Sequence, residues 1–241
     1  MKIVLNPAYS QLSSFVNNIP IFFDKKGELI YGGRNKLKVY QVDGYDVVVK
    51  SFRKPHLFNR IVYTFFRLSK ARRSYEHAFE LLKREVPTPA PIAYIEEKRG
   101  GLLNRSYYIS VYAKDYEHVR PYMNATYLDD VLLTELAQFI ALLHNKGVYF
   151  LDLSPGNVLW KKEDERFLFT LVDINRMKFK LTLSKKERYE NFERLSYKND
   201  VITFMAFKYA KASYLDDNEA VTKIREACKR FFEEKYNRPI Q

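Results

Sequence analysis

The stretch Leu143–Asn175, LHNKGVYFLDLSPGNVLWKKEDERFLFTLVDIN, decides how this chain folds. Pro155 and Gly156 keep the segment from Asp152 to Asn157 out of helix, so both side chains point into one cleft. The runs VLW and RFLFTLVDI then form the arms of a short antiparallel hairpin. Asn157 opens one arm and Asp173 closes the other, which brings the two together. An amide oxygen beside a carboxylate supplies two hard ligands for a cation such as Mg²⁺. Asp152, not needed as a ligand, is placed to orient a hydroxyl and accept its proton during phosphoryl transfer.

Outward from that loop, residues 29–52 have the pattern of a three-stranded meander, LIY, KLKVYQV and YDVVVKSF. Asp43-Gly44 is its tight turn, because a primed hairpin turn needs the positive φ that these residues tolerate; GGRN is a looser one. Tyr75, Ala78, Phe79 and Leu82 recur at helical spacing and predict an amphipathic helix over 69–85. Pro87, Pro89 and Pro91 end it and lead into a strand. After Gly100-Gly101 a second strand covers 106–112. Val131, Leu132, Leu136, Phe139, Ile140 and Leu143 line a helix that Asp129 or Asp130 caps and Gly147 ends. Further helices are expected over about 184–213 and 217–235. Strands with one helix, then mostly helices, predict an α+β chain of two lobes, with an N-lobe over 1–112 and a C-lobe over 113–241.

Composition narrows the function. With 241 residues, 46% of them hydrophobic, the chain buries a real core. The single Cys228 excludes an internal disulfide and a cysteine zinc cage, and His56, His77, His118 and His144 show no ligand spacing. A reducing cytosol is the expected compartment, since neither an export signal nor a membrane-spanning run is present. The net charge of +12 favours an anionic partner. It is concentrated: Val47–Tyr75 carries no acid, and Arg176–Arg188 only Glu187. No recognition-helix or zinc-finger signature accompanies it, so nucleic acid is not the expected partner. Phe58, Ile61, Val62, Phe65 and Phe66, interleaved with Arg60 and Arg67, read first as a core stripe, with a membrane-facing segment as the alternative.

The catalytic stretch resembles the protein-kinase-like superfamily, whose loop has the form H-x-D-L-x-x-x-N followed by a metal-binding Asp at the end of a strand. That resemblance implies a bilobal kinase fold with ATP and Mg²⁺ as cofactors. It assigns Lys50 in YDVVVKSF to bridge the α- and β-phosphates, and Glu76 to hold that lysine, with Glu80 as its rival. Gly32 and Gly33 cover the phosphates, backbone from Ser110 through Tyr112 to Ala113 meets adenine, and Asn157 and Asp173 hold the metal. The sequence departs from protein kinases at Phe150 and Leu151, which stand where His and Arg are usual, at Asp173-Ile174-Asn175, and in lacking A-P-E. VVVK, SKARRSYE, the P-T-P-A-P run, LHNKGVYFLDLSPGNVLW, VDINR and N-F-E-R-L look like the lipopolysaccharide core kinase family. That family implies a Kdo or heptose hydroxyl on a membrane-anchored glycolipid as acceptor, and peripheral contact with an anionic inner-membrane face. A kinase acting on a protein or another small molecule, or a non-catalytic basic scaffold, is the alternative.

Overall fold

The computed structural model describes residues 1–54, 56–237 and 239–240, without the side chains of Leu57 and Asn59. The chain divides into two units, Met1–Glu80 with Pro89–Lys114, and Leu81–Thr88 with Asp115–Gln241. A single cut at residue 112 places Leu81–Thr88 in the N-lobe, whereas the structure groups it with the second unit. There the Thr88 hydroxyl donates to the Leu171 carbonyl at 2.8 Å, and the Leu171 N–H donates to the Pro87 carbonyl at 3.1 Å.

The first unit contains β1 (Lys2–Leu5), a 3-10 turn (Pro7–Leu12), α1 (Ser13–Phe22), β2 (Glu28–Tyr31), β3 (Lys36–Val42) and β4 (Tyr45–Phe52). Then come α2 (Leu57–Phe65), α3 (Lys70–Lys83, ending in the second unit), β5 (Pro91–Arg99) and β6 (Leu102–Val111). Its six strands form one antiparallel sheet in the order β1-β5-β6-β4-β3-β2. The expected meander is present, and its Asp43-Gly44 turn has φ of 49° and 79°. Both central residues of the two-residue loop thus take the left-handed form that matches strand twist.

Residues 1–28, left without assignment by the sequence, supply the edge strand β1 and then cover one face of this sheet. Leu12, Val16, Ile19 and Phe23 pack on Val47, Val49, Ile92, Ile95, Tyr107 and Ile109. Each such buried side chain contributes about 2 kcal/mol. On the other face Phe52, Tyr94 and Tyr108 meet Ala71 and Tyr75 of α3. Because side chains alternate along a strand, Lys50 shares the α3 face with Phe52. The stripe expected as core on α2 does not become core: Phe58, Ile61, Phe65 and Phe66 are exposed.

The second unit contains β7 (Glu117–His118), α4 (Arg120–Met123), α5 (Asp130–Asn145), β8 (Val148–Phe150), β9 (Val158–Glu163) and β10 (Arg166–Leu171). Next are β11 (Met177–Phe179), α6 (Lys185–Glu190), α7 (Asn199–Ser213) and α8 (Asp217–Tyr236). Asp129 caps α5 by accepting from the Leu132 N–H at 3.0 Å. Gly147 ends it at φ 71°, where a Cβ would lie 2.0 Å from the Lys180 carbonyl oxygen, so only glycine fits. The β9–β10 hairpin stacks Phe169 on Phe139 of α5 at 5.2 Å. The helices expected over 184–213 are α6 and α7, and between them Asn191 and Ser196 spend their side chains on tertiary bonds. The Ser196 hydroxyl donates to the Met123 carbonyl at 2.6 Å. Among the described residues no helix is long and apolar enough to cross a membrane.

Candidate active site

In the second unit, Asp152 lies in the loop between β8 and β9, where the Pro155-Gly156 pair prevents helix. Asn157 directly precedes β9 and Asp173 follows β10 by two residues, at the same end of the hairpin. The Val172 N–H donates to the Asn157 carbonyl at 3.0 Å, which ties the two arms there. The Asn157 amide nitrogen donates to the Asp152 carbonyl at 2.8 Å, so its oxygen is turned the other way. Asp173 takes φ 54° and accepts at Oδ1 from the Asn175 side chain at 2.6 Å. Left-handed backbone is tolerated by Asp, and it swings the carboxylate out of the strand direction.

The Asp152 carboxylate is three-quarters buried and accepts two guanidinium bonds at Oδ1, from Arg176 at 3.0 Å and Arg194 at 2.9 Å. The Arg194 guanidinium also stacks over the Phe231 ring at 5.0 Å. Arg120 leans on the loop: a Cβ at Gly156 would strike its guanidinium at 2.2 Å. The residues from Asp152 to Asn157 therefore sit in a ring of three arginines. Sequence reasoning missed these roles. Arg176 and Arg194 stand inside the quoted VDINR and NFERL segments, but nothing local shows that residues 24 and 42 positions further on return to Asp152.

A buried polar relay supports the loop from behind. The Asn191 side chain donates to the Phe150 carbonyl at 2.7 Å, and its oxygen lies 3.1 Å from Nε2 of His144. Nε2 must then carry the proton, which leaves Nδ1 to accept from the Tyr209 hydroxyl at 2.7 Å. Burial pushes the pKa of His144 down to about 4, so the ring is neutral at neutral pH.

In the first unit, Lys50 pairs with Leu37 of β3 and Tyr108 of β6, and its ammonium lies 5.4 Å from the Phe52 ring centre. Glu76, assigned as its partner, meets Arg72 instead: the two pair at 2.7 Å one helical turn apart, both partly exposed. An arginine four residues away on the same helix reaches the carboxylate without crossing to the sheet. That hydrogen bond raises the Arg72 pKa still further. Gly32 and Gly33 form the β2–β3 turn, and a Cβ on Gly33 would lie 2.4 Å from the Tyr31 hydroxyl. Asn35 fastens this turn by accepting from the Arg53 N–H at 3.2 Å. Ser110 is buried inside β6, opposite Val48 on one side and Pro91 on the other. The N–H groups of Val111 and Tyr112 are spent on Ala90 and Asp46, at 3.0 and 2.9 Å.

The donor set at the hairpin is oxygen only, the chemistry Mg²⁺ requires. Among the described residues there is no group of three His, Cys, Asp or Glu that holds a metal. Two protein oxygens fit an ion that keeps waters and phosphate oxygens in its remaining positions.

The sequence profile of the lipopolysaccharide kinase (Kdo/WaaP) family matches residues 32–214. The chain belongs to this family. Among solved structures, WaaP in complex with acyl carrier protein matches with a TM-score of 0.62 at 14% identity, over 97% of this chain and 100% of that one. A double mutant of the PknI kinase domain of Mycobacterium tuberculosis matches at 12% identity and a TM-score of 0.48, over 83% of this chain and 94% of that one. No curated protein is significantly similar in sequence. The Kdo/WaaP membership and the shared fold agree with the kinase-like α+β architecture expected from the sequence.

Proposed function

We propose that this Kdo/WaaP-family kinase transfers the γ-phosphoryl group of ATP to a sugar hydroxyl of the lipopolysaccharide inner core, on Kdo or heptose, at the cytoplasmic face of the membrane carrying that glycolipid. The observation that carries this reading is the Asp152 loop. Both arginines bond Oδ1 of Asp152, so Oδ2 is the oxygen that meets the acceptor hydroxyl and takes its proton. The acceptor oxygen forms a bond to Pγ as the bond from Pγ to the bridging oxygen of ADP breaks, and the proton passes to Asp152. Asn157 and Asp173 hold Mg²⁺, which when bound neutralises charge on the β- and γ-phosphates. Lys50 contacts the α- and β-phosphates, with Glu80 or Glu76 as its counter-ion. The Gly32-Gly33 turn covers the phosphates, and backbone at Tyr112 and Ala113 contacts adenine. Arg120, Arg176 and Arg194 draw in an acceptor with a sugar carboxylate or phosphate, in accord with the net charge of +12.

The test is phosphoryl transfer by the purified chain with Mg-ATP and either Kdo-lipid A or a heptosylated core, read by mass spectrometry. Gain of one phosphoryl group on the sugar is the expected result. ATP turnover with transfer only to casein or an aminoglycoside would reassign the acceptor, and no nucleotide turnover with any acceptor would leave a scaffold.

A further inference from the structure

Helix α2 is packed inside out. Two of its polar residues face the sheet: Arg60 donates to the carbonyls of Leu103 at 2.8 Å and Arg99 at 3.0 Å, and the Thr64 hydroxyl accepts from the Leu103 N–H at 2.9 Å. Phe58, Ile61 and Phe65 face away, while Val62 and Tyr63 are half-buried. Phe58, Ile61 and Phe65, spaced i, i+3 and i+7, are 76%, 41% and 69% exposed, and Phe66 just past the helix is 82% exposed. A surface helix normally does the reverse, since burying apolar area is what fixes it to a fold. Contiguous exposed aromatics of this kind mark an interaction face.

Beside α2 a cavity of about 80 Å³ is lined by Arg34, Arg53, Lys54, His56, Lys70 and Tyr63, and no carboxylate takes part in its wall. The whole stretch Val47–Tyr75 lacks Asp and Glu. Exposed phenylalanines with a basic cavity beside the same helix supply the apolar and the electrostatic attraction that a bilayer interface with anionic head groups answers, and the two add. A second copy of the chain fits less well, because it would bring the same positive patch against itself.

We propose that α2 is the membrane-docking element, with Phe58, Ile61, Phe65 and Phe66 entering the interfacial layer of an anionic phospholipid bilayer and the neighbouring basic cavity taking a lipid phosphate. This deepens the reading above by naming the surface that meets the membrane. It is tested without nucleotide or acceptor, so its failure leaves the kinase assignment untouched and the reverse also holds. The experiment is flotation with vesicles of phosphatidylethanolamine and phosphatidylglycerol, against vesicles of phosphatidylcholine alone. The wild-type chain should float with the first, less so as salt rises, and not with the second. The triple variant Phe58→Ser, Phe65→Ser, Phe66→Ser and the double variant Arg53→Glu, Lys54→Glu should each bind at least roughly tenfold more weakly. All five positions are exposed, so both variants should keep the wild-type melting temperature. Absence of wild-type binding, or undiminished binding by the triple variant, overturns the proposal. So does a lipid-free dimer that the triple variant loses, which would make a second copy the occupant.

Discussion

Lys50 lies in a strand paired on both sides from Val47 to Ser51, whereas Asp152 lies in a loop that side chains from far along the chain hold in place. The ladder around Lys50 is redundant: each backbone bond repeats the register set by the others, and deleting one side chain leaves the strand where it was. The Asp152 loop has few bonds, and they fall on three separate groups. Arg176 and Arg194 hold the carboxylate, Asn157 the carbonyl, and Asn191 the carbonyl of Phe150. Substitutions in the loop network should therefore change activity and stability sharply, while those around the sheet lysine should be absorbed.

The sharpest break is expected at the loop's own acid. Asp152→Asn keeps the shape and the arginine contacts but cannot accept a proton, so phosphoryl transfer should fall by roughly 10²- to 10⁴-fold with ATP affinity unchanged. Single-turnover kinetics alongside nucleotide titration separates the two. Activity close to wild type would remove Asp152 from the proton-accepting role.

Next is the relay behind the loop, which acid should unlock. The unfolded chain takes up a proton on His144 near pH 6.5, but the buried ring resists it until about pH 4. Stability from this site is therefore complete above pH 6.5 and is lost as pH falls towards 4, by about 3 kcal/mol in all. Urea unfolding at pH 7.5 and 4.5 should show that loss, and His144→Gln should show a smaller one. An identical pH slope in the two proteins would remove His144 as its source.

Asn191→Ala should come slightly lower. It strips the Nε2 proton of His144 of its acceptor in a buried setting, and it removes one of two donors from the Phe150 carbonyl, which keeps the Leu153 N–H at 3.0 Å. One unsatisfied buried donor costs about 1–2 kcal/mol after relaxation, and the loosened loop should lower kcat by on the order of tenfold. A drop in melting temperature without a change in kcat would confine Asn191 to folding.

The same contrast explains what the sequence made legible. The β3–β4 hairpin, α3, α5 and the β9–β10 hairpin are set by neighbours in sequence: a primed turn at Asp43-Gly44, a cap at Asp129, a stop at Gly147 and alternation along strands. The hairpin that carries Asn157 and Asp173 belongs to this local class. The arginines on Asp152 do not, because a charge pair across 42 positions leaves no periodic trace. α2 failed for a different reason. Its spacing is that of an amphipathic helix, but spacing alone does not say which side faces inward, and here Arg60 and Thr64 took the inner side by bonding carbonyl and N–H groups of β6 and of the last residue of β5.

The smallest effect, and the one that most sharpens the comparison, concerns the counter-ion of Lys50. Glu76 is bound by Arg72 on the exposed side of α3, and an exposed pair at this spacing contributes about 0.3–0.5 kcal/mol. Glu76→Gln should therefore shift the melting temperature by no more than about a degree or two and change ATP affinity by less than roughly twofold. Glu80→Gln, one turn further along the helix, is the informative partner experiment: with Glu80 as the counter-ion of Lys50, the change should weaken ATP binding by on the order of tenfold. A tenfold loss at Glu76 with none at Glu80 would mean that nucleotide binding draws Glu76 away from Arg72 and onto the lysine, and the sheet site would then depend on a side-chain switch much as the Asp152 loop depends on its arginines.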